Sequence, residues 1–282
     1  MIRAGGIRNV SIRGVPYDFR RSPSSAYNGN WISRMTSVVE DTYNINNRTR
    51  VTLLSHSLGC MFTLYFLNHK NSTWKEKYIL RWISTQGPFG GAMTALKALL
   101  SGENWGIPSI SALNLRELQR SWESSLMLAP TPQVWGTITI VQTPIRNYSA
   151  KDYQVLFKKA KFAHGYKRYQ LVSNVAGNLI PPGVETLLIY SYGIQTLESF
   201  SYFQDDNFDN IPKMTYEDGD GTVHIRSPQN VIERWRGNNN GYQLDEKAFA
   251  SFNHMNLVTS SEYIREIIQL LQYNTTNAED YN

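Results

Sequence analysis

The apolar positions of the chain change period repeatedly, from short continuous runs to helix-spaced ones and back. Val10 to Val15 reads as a first strand, closed by Pro16 and followed by the polar turn Arg20 to Asn30. Trp31, Met35, Val38 and Thr42 recur at helical spacing, which predicts an amphipathic helix lying on a sheet. Val51 to Leu54 is a short apolar strand. Leu58 to Leu67 is apolar almost all round, so the helix it forms should be buried on every side. Tyr78 to Ser84 and Thr186 to Tyr190 read as further strands, and Tyr242 to Leu244 is strand-like. Near the end, Thr259 and Glu262 form a capping-box pair ahead of Ile264, Ile267, Ile268 and Leu271, the mark of an amphipathic helix. The stretch Asn274 to Asn282 should fray. Strands alternating with helices predict an α/β fold, a mostly parallel sheet with helices on its faces.

Regularity is lost after Gly87-Pro88-Phe89-Gly90-Gly91. To about Pro144, Gly, Pro, Ser and Trp interleave with short apolar pieces such as Leu126-Met127-Leu128. Inside an α/β domain such a stretch is expected to be an insertion carrying function, often a lid. The chain therefore divides into a core segment over 1–91, a lid or cap insertion over 92–145, and the rest of the core over 146–282.

Composition narrows the class. With 282 residues, 41% hydrophobic and 18% charged, the chain is globular and neither disordered, collagen-like nor a coiled coil. A net charge of +5, scattered rather than striped, argues against nucleic acid as a partner and fits an anionic membrane surface equally well. No apolar run is long enough to span a bilayer, and Met1 to Val10 has no apolar stretch of the signal-peptide kind. The single Cys60 permits no internal disulfide, which suits a reducing compartment or part of a longer chain. The N-x-S/T pattern at Asn9, Asn47, Asn71, Asn147 and Asn274 suits a glycosylated secretory protein instead, and composition leaves both open.

The strongest chemical signal is Ser55-His56-Ser57-Leu58-Gly59, set between a strand and an apolar helix as in a nucleophile elbow. The turn is tight enough that positions two before and two after the nucleophile must be small, as Ser55 and Gly59 are. Ser57 would then be lifted out at the carboxyl edge of the sheet. There the backbone N–H of Leu58, at a helix start, can meet a developing oxyanion. A serine nucleophile needs a base, and the base an orienting carboxylate, in the chain order serine, acid, histidine. Asp220, in the Gly-rich loop Glu217 to Val223, and His254, before the last helix, fit that order. By elbow geometry His56 should face away from the site. His69 lies at the far end of the elbow helix, His164 precedes the acid loop, and His224 is too close to Asp220 to come from a separate loop.

Bland alternatives exist for each residue. A Ser-x-Ser-x-Gly pentapeptide alone is common, Asp218 and Asp220 are turn formers, and His254 could be a surface residue. Asp218-x-Asp220-Gly-Thr-Val also resembles the aspartyl nucleophile motif of haloacid-dehalogenase-type phosphatases, but that motif should follow an apolar strand, and Met214 to Glu217 is short and polar. A calcium loop would need a bidentate Glu where Gln229 stands.

Taken together, Gly14-Val15-Pro16-Tyr17-Asp18-Phe19-Arg20, Ser55 to Gly59, Gly87 to Gly91, Arg116 to Arg120, Gln142-Thr143-Pro144, Pro181-Pro182-Gly183 and Asp218 to Val223 resemble the lecithin:cholesterol acyltransferase family, in order over nearly the whole chain. The resemblance implies an α/β-hydrolase fold, a Ser57/Asp220/His254 triad, and acyl transfer from glycerophospholipids to water or to a lipid alcohol such as ceramide or a sterol. It implies no cofactor and no metal. It also implies a membrane or lipoprotein surface as partner and a lysosomal or secreted setting. The lid would span about Ala92 to Trp135, and within it Trp105, Ile107 and Trp122 are candidates for acyl-chain contact or, equally, for core packing. Departures are Ser55 where the family has Gly or Ala, Phe19 and Phe89 where it has Trp, and Thr215 and Asn230 where close relatives pair two cysteines. Family members begin well upstream of Gly14, with first strands, a second oxyanion donor and a membrane-binding domain, so the chain is expected to be N-terminally short. Losing one oxyanion donor costs about a hundred to a thousandfold in rate. The competing readings are a catalytically silent lipid-binding remnant and a neutral-lipid esterase.

Overall fold

Two four-stranded sheets organise the computed structural model, which describes residues 2–25, 30–177, 179–204 and 207–271. The sequon at Asn274 and the stretch expected to fray lie outside those residues. The first sheet contains β1 (Val51–His56), β2 (Ile79–Thr85), β5 (Thr186–Tyr192) and β8 (Leu244–Ala250), in that order and all parallel. The second has the order β4 (Asn147–Tyr148), β3 (Val141–Gln142), β6 (Thr196–Ser201) and β7 (Lys213–Glu217). Its only parallel pair is β3 with β6.

Successive side chains of a strand face opposite ways, and the parallel sheet uses both faces. Trp82 and Leu188 enter the larger core with α2 (Leu58–Asn68), whereas Ile83 and Ile189 pack on the other side with Leu257, Tyr263 and Ile267. Those three belong to α11 (Asn256–Thr259) and α12 (Ser261–Leu270). Helix α2 is buried through Cys60, Met61, Phe62, Leu64, Phe66 and Leu67, as its unbroken apolar run requires. Across it lies α1 (Trp31–Ile45), whose Trp31 meets Phe62 edge-on at 5.1 Å. On the same side α10 (Arg226–Trp235) brings Trp235 to 5.4 Å from Phe89.

Several expectations need correction. Val10 to Val15 is not a strand: it holds one bridge, Arg8 to Ile12, and otherwise runs as irregular chain that lays Val15 and Tyr17 on the core. An apolar alternation becomes a strand only where an edge is there to pair with, and this segment meets helix α1 instead, Asn46 Nδ2 donating to the Val10 carbonyl at 3.0 Å. In α1 the third buried position is Val39, not Val38, the spacing of four from Met35. Tyr78 closes α3 (Ser72–Tyr78) rather than opening β2. The cap of α12 is Ser260, whose Oγ accepts from Tyr263 N at 3.2 Å, so the capping-box reading at Thr259 was one residue early; Thr259 ends α11.

The irregular stretch is ordered as four short helices, α4 (Met93–Leu100), α5 (Ala112–Ser121), α6 (Glu123–Met127) and α7 (Pro132–Trp135). Free carbonyls at helix ends need donors, and guanidinium groups supply them. Arg120 Nε donates to Leu99 O at 2.8 Å and Arg116 Nη1 to Leu100 O at 3.1 Å. Two further helices follow, α8 (Tyr153–Lys159) and α9 (Gly165–Gly177), and Arg168 from α9 reaches Arg120 O at 2.6 Å. The second sheet takes β3 from one side of residue 145 and β4, β6 and β7 from the other.

Candidate active site

All four parallel strands end on one side, and the elements that follow them carry the candidate chemistry, the usual place for a site in an open α/β sheet. Ser57 follows β1 directly and begins the turn into α2. Its backbone lies at φ 55 and ψ −129, a region that a non-glycine residue occupies only when its surroundings impose it. They do so from both sides: Ser57 N donates to Thr85 O of β2 at 3.0 Å, and Cys60 N closes the first turn of α2 on Ser57 O at 2.9 Å. Leu58 is the first residue of α2, so its N–H has no carbonyl one turn earlier to accept it and is available to a ligand.

The flanking positions do more than stay small. Ser55 Oγ accepts the indole N–H of Trp82 at 2.8 Å and donates to Cys60 Sγ at 3.4 Å. A Cβ at Gly59 would lie 3.5 Å from Tyr17 Oη and 3.7 Å from Ser55 Cβ, so a methyl group there would be in ordinary contact with both. The Cys60 thiol is pushed up to about 11, mainly by burial, which leaves it a poor nucleophile despite its place one turn from Ser57.

His254 lies between β8 and α11, and Asp220 in the loop after β7. Bridges from Asp220 to Ile194 and from Gly219 to His224 fold that loop against the end of β5. The structure brings all three predicted side chains together. His254 Nε2 is 2.8 Å from Ser57 Oγ, and His254 Nδ1 is 2.8 Å from Asp220 Oδ2. The carboxylate only accepts, which assigns the proton to Nδ1 and leaves Nε2 free to accept from the Ser57 hydroxyl. Asp220 is itself 2% exposed, and its Oδ1 accepts from the backbone N–H groups of Thr222 at 2.8 Å and Val223 at 2.7 Å. The glycine at 219 is required: a Cβ there would lie 2.5 Å from both Thr196 Oγ1 and the Val223 carbonyl oxygen.

One sequence expectation is overturned here. His56 does not face away from the site, because its Nε2 lies 3.0 Å from the His254 carbonyl oxygen and its ring centroid 4.9 Å from that of His254. Burial, and then the neighbouring His254, lower its pKa. Neither His56 nor Gln86, which contacts it at 3.1 Å, was read as part of the site. The nearest sequence signal was their placement at the ends of two adjacent apolar strands. His224 lies apart from Ser57, Asp220 and His254: it packs on Trp135 with centroids 5.1 Å apart, and burial followed by the Arg226 charge pushes it down to about 4.

The three residues named for acyl contact lie on the α4 to α6 stretch. Trp105 and Ile107 are exposed, at 64% and 46%, and Trp122 meets Phe19 edge-on at 5.6 Å. The Trp105 backbone N–H donates to Glu103 Oε1 at 2.8 Å, and the Trp122 ring contact is with Phe19, not with the Ser57, Asp220 and His254 cluster.

The lecithin:cholesterol acyltransferase profile matches residues 1–178. The chain belongs to that family. Among curated relatives, a lysosomal phospholipase A and acyltransferase from Canis lupus familiaris is 35% identical over 269 residues, 94% of this chain and 64% of the relative. The Homo sapiens protein of the same name is 38% identical over 79% of this chain and 53% of its own. A phosphatidylcholine-sterol acyltransferase from Gallus gallus is 32% identical, covering 93% and 62%. The chain thus spans between about half and two thirds of the length of these relatives. In the crystal structure of the Tle4-Tli4 complex, one chain superposes with a TM-score of 0.61 at 12% identity, covering 90% of this chain and 67% of that one. That likeness speaks to fold alone, and the fold is of the α/β-hydrolase kind.

Proposed function

We propose that the chain is a serine-dependent phospholipid acyl hydrolase and acyltransferase, with Ser57 as nucleophile, His254 as general base and Asp220 as the group that fixes the base. The observation that carries this reading is the unbroken run of two 2.8 Å contacts from Ser57 Oγ through the His254 ring to Asp220. The substrate class is carried by the relatives' names, phospholipase A and acyltransferase and phosphatidylcholine-sterol acyltransferase.

In this reaction Ser57 Oγ attacks the carbonyl carbon of an acyl ester while its proton passes to His254 Nε2. The oxyanion of the tetrahedral intermediate takes the Leu58 N–H. As the intermediate collapses, the bond to the glycerol oxygen breaks and His254 returns the proton to that oxygen. A lysophospholipid leaves and an acyl-serine remains. Water, or the hydroxyl of a lipid alcohol, then loses its proton to His254 and attacks the acyl carbon; the bond from that carbon to Ser57 Oγ breaks, and His254 returns the proton to Ser57 Oγ, releasing fatty acid or ester. Trp105, Ile107 and Trp122 are assigned to acyl contact, with 92–145 as a cap beside the site. The substrate would be presented at a membrane or lipoprotein surface, in a lysosomal or secreted setting such as the word lysosomal in the relatives' names suggests.

The test uses phosphatidylcholine vesicles carrying an isotope-labelled acyl chain, with and without a lipid alcohol. The wild-type chain is expected to yield labelled fatty acid, and labelled ester when the alcohol is present, and Ser57→Ala neither. A folded wild-type chain that yields no labelled product, or a Ser57→Ala variant as active as wild type, would contradict the proposal.

A further inference from the structure

His254 sits on a link of five residues, 251–255, between the end of β8 and the start of α11, where no strand or helix ladder holds it. Its backbone is held by two bonds instead. His254 N donates to Asp220 O at 2.8 Å, and His254 O accepts from His56 Nε2 at 3.0 Å. We propose that His56 is a positioning residue for the reaction, its Nε2–H holding the His254 carbonyl so that the imidazole stays within reach of Ser57. This inference rests on the reading of Ser57 and His254 as nucleophile and base.

Three observations support it. Both groups facing His56 Nε2, the His254 carbonyl and Gln86 Oε1 at 3.1 Å, are acceptors, so this nitrogen carries the proton. Gln86 is built to orient the ring: it is 2% exposed, has φ 51, donates from its backbone N to Ile189 O at 2.7 Å and from Nε2 to Ser191 Oγ at 2.7 Å. Ser191, Gln86 and His56 stand at the carboxyl ends of β5, β2 and β1. The network therefore ties three strands of the sheet to the link after the fourth, and the base is referenced to the same strand that carries the nucleophile. Removing the donor leaves the His254 carbonyl unpaired and the link free to shift. A displacement of about 1 Å at a reacting group lowers rate on the order of a hundredfold.

The experiment measures phosphonylation by a fluorophosphonate probe, at saturating probe, for wild type, His56→Phe and His56→Gln. The phenylalanine keeps a ring and lacks the donor, whereas the glutamine amide restores an N–H. The expected result is a fall of about ten to a hundredfold in the first-order rate constant for His56→Phe with probe affinity unchanged, and recovery to within about threefold of wild type in His56→Gln. An equal rate in His56→Phe, or no recovery in His56→Gln, overturns the inference. Nitrogen-15 histidine spectra of the wild-type chain give a second check that holds even if His56→Phe does not fold. They should show His56 protonated at Nε2 and bare at Nδ1, and the opposite tautomer overturns the inference. A folded wild-type chain that takes no probe would overturn the reading of Ser57 on which this stands, a result distinct from labelled wild type with an equally fast His56→Phe.

Discussion

Asp220 spends both carboxylate oxygens, one on two loop amides and one on the His254 ring. Asp220→Asn keeps the shape and can keep the amide contacts through its oxygen, but it turns an N–H toward His254 Nδ1 and favours the wrong imidazole tautomer. Probe labelling at Ser57 should fall by roughly four orders of magnitude, with thermal stability much less affected. Labelling within tenfold of wild type would mean that the carboxylate does not set the tautomer. His224 makes a separate, pH-linked prediction. Its imidazole binds a proton near 6.5 in the unfolded chain but is pushed down to about 4 when folded. Between those values the unfolded chain binds more protons, so stability is fully present above about 6.5 and declines as pH falls toward 4. Thermal scans across that window should show a shallower slope for His224→Asn, which keeps an acceptor for Arg226 N. An unchanged slope would show that His224 does not contribute.

At the scale of elements, the elbow is supported from below by Ser55, whose hydroxyl satisfies the Trp82 indole. Ser55→Ala leaves that buried N–H unpaired and should lower stability by about 1–3 kcal/mol in urea unfolding with an unchanged denaturant slope. Gly91 sets the entrance to α4. Its φ is 83, and a Cβ would lie 2.5 Å from the Ala129 carbonyl oxygen. Gly91→Ala should therefore cost more than a surface substitution, above about 1 kcal/mol. These contacts also explain what the sequence could disclose. Helix α2 was legible because a run apolar almost all round has only one environment that suits it. The three side chains of the proposed triad could be named because the elbow places Ser57 and chain order constrains the other two. Strand β8, Leu-Asp-Glu-Lys-Ala-Phe-Ala, was seen only at its first residue, since an edge strand with charged side chains in water shows little apolar signal. The cap of α12 slipped by one because Thr259, Ser260 and Ser261 are all able to cap, and only the end of α11 decides among them. The second sheet pairs short polar strands from distant parts of the chain, and His56 meets His254 across 198 residues and Gln86 across 30, separations that no local pattern encodes.

For the molecule as a whole, the parallel sheet is a rigid reference for groups far apart in sequence. Ser57 follows one end of the strand order and His254 the other, with the Asp220 loop folded against the end of β5 between them. The helices on both faces hold that reference fixed, and the 92–145 helices join the same apolar core through Met93, Leu96, Leu99, Leu126 and Trp135, while Arg120 links the Leu99 carbonyl to that of Ala160 after α8. The central claim is that this arrangement makes the Ser57 hydroxyl a nucleophile. The most direct measurement is peptide mapping by mass spectrometry after the folded 282-residue chain has reacted with a fluorophosphonate. A single phosphonyl adduct on Ser57, formed far more slowly in His254→Ala, is the predicted result. No adduct on the folded wild-type chain, or an adduct on another residue with Ser57 unmodified, would contradict it.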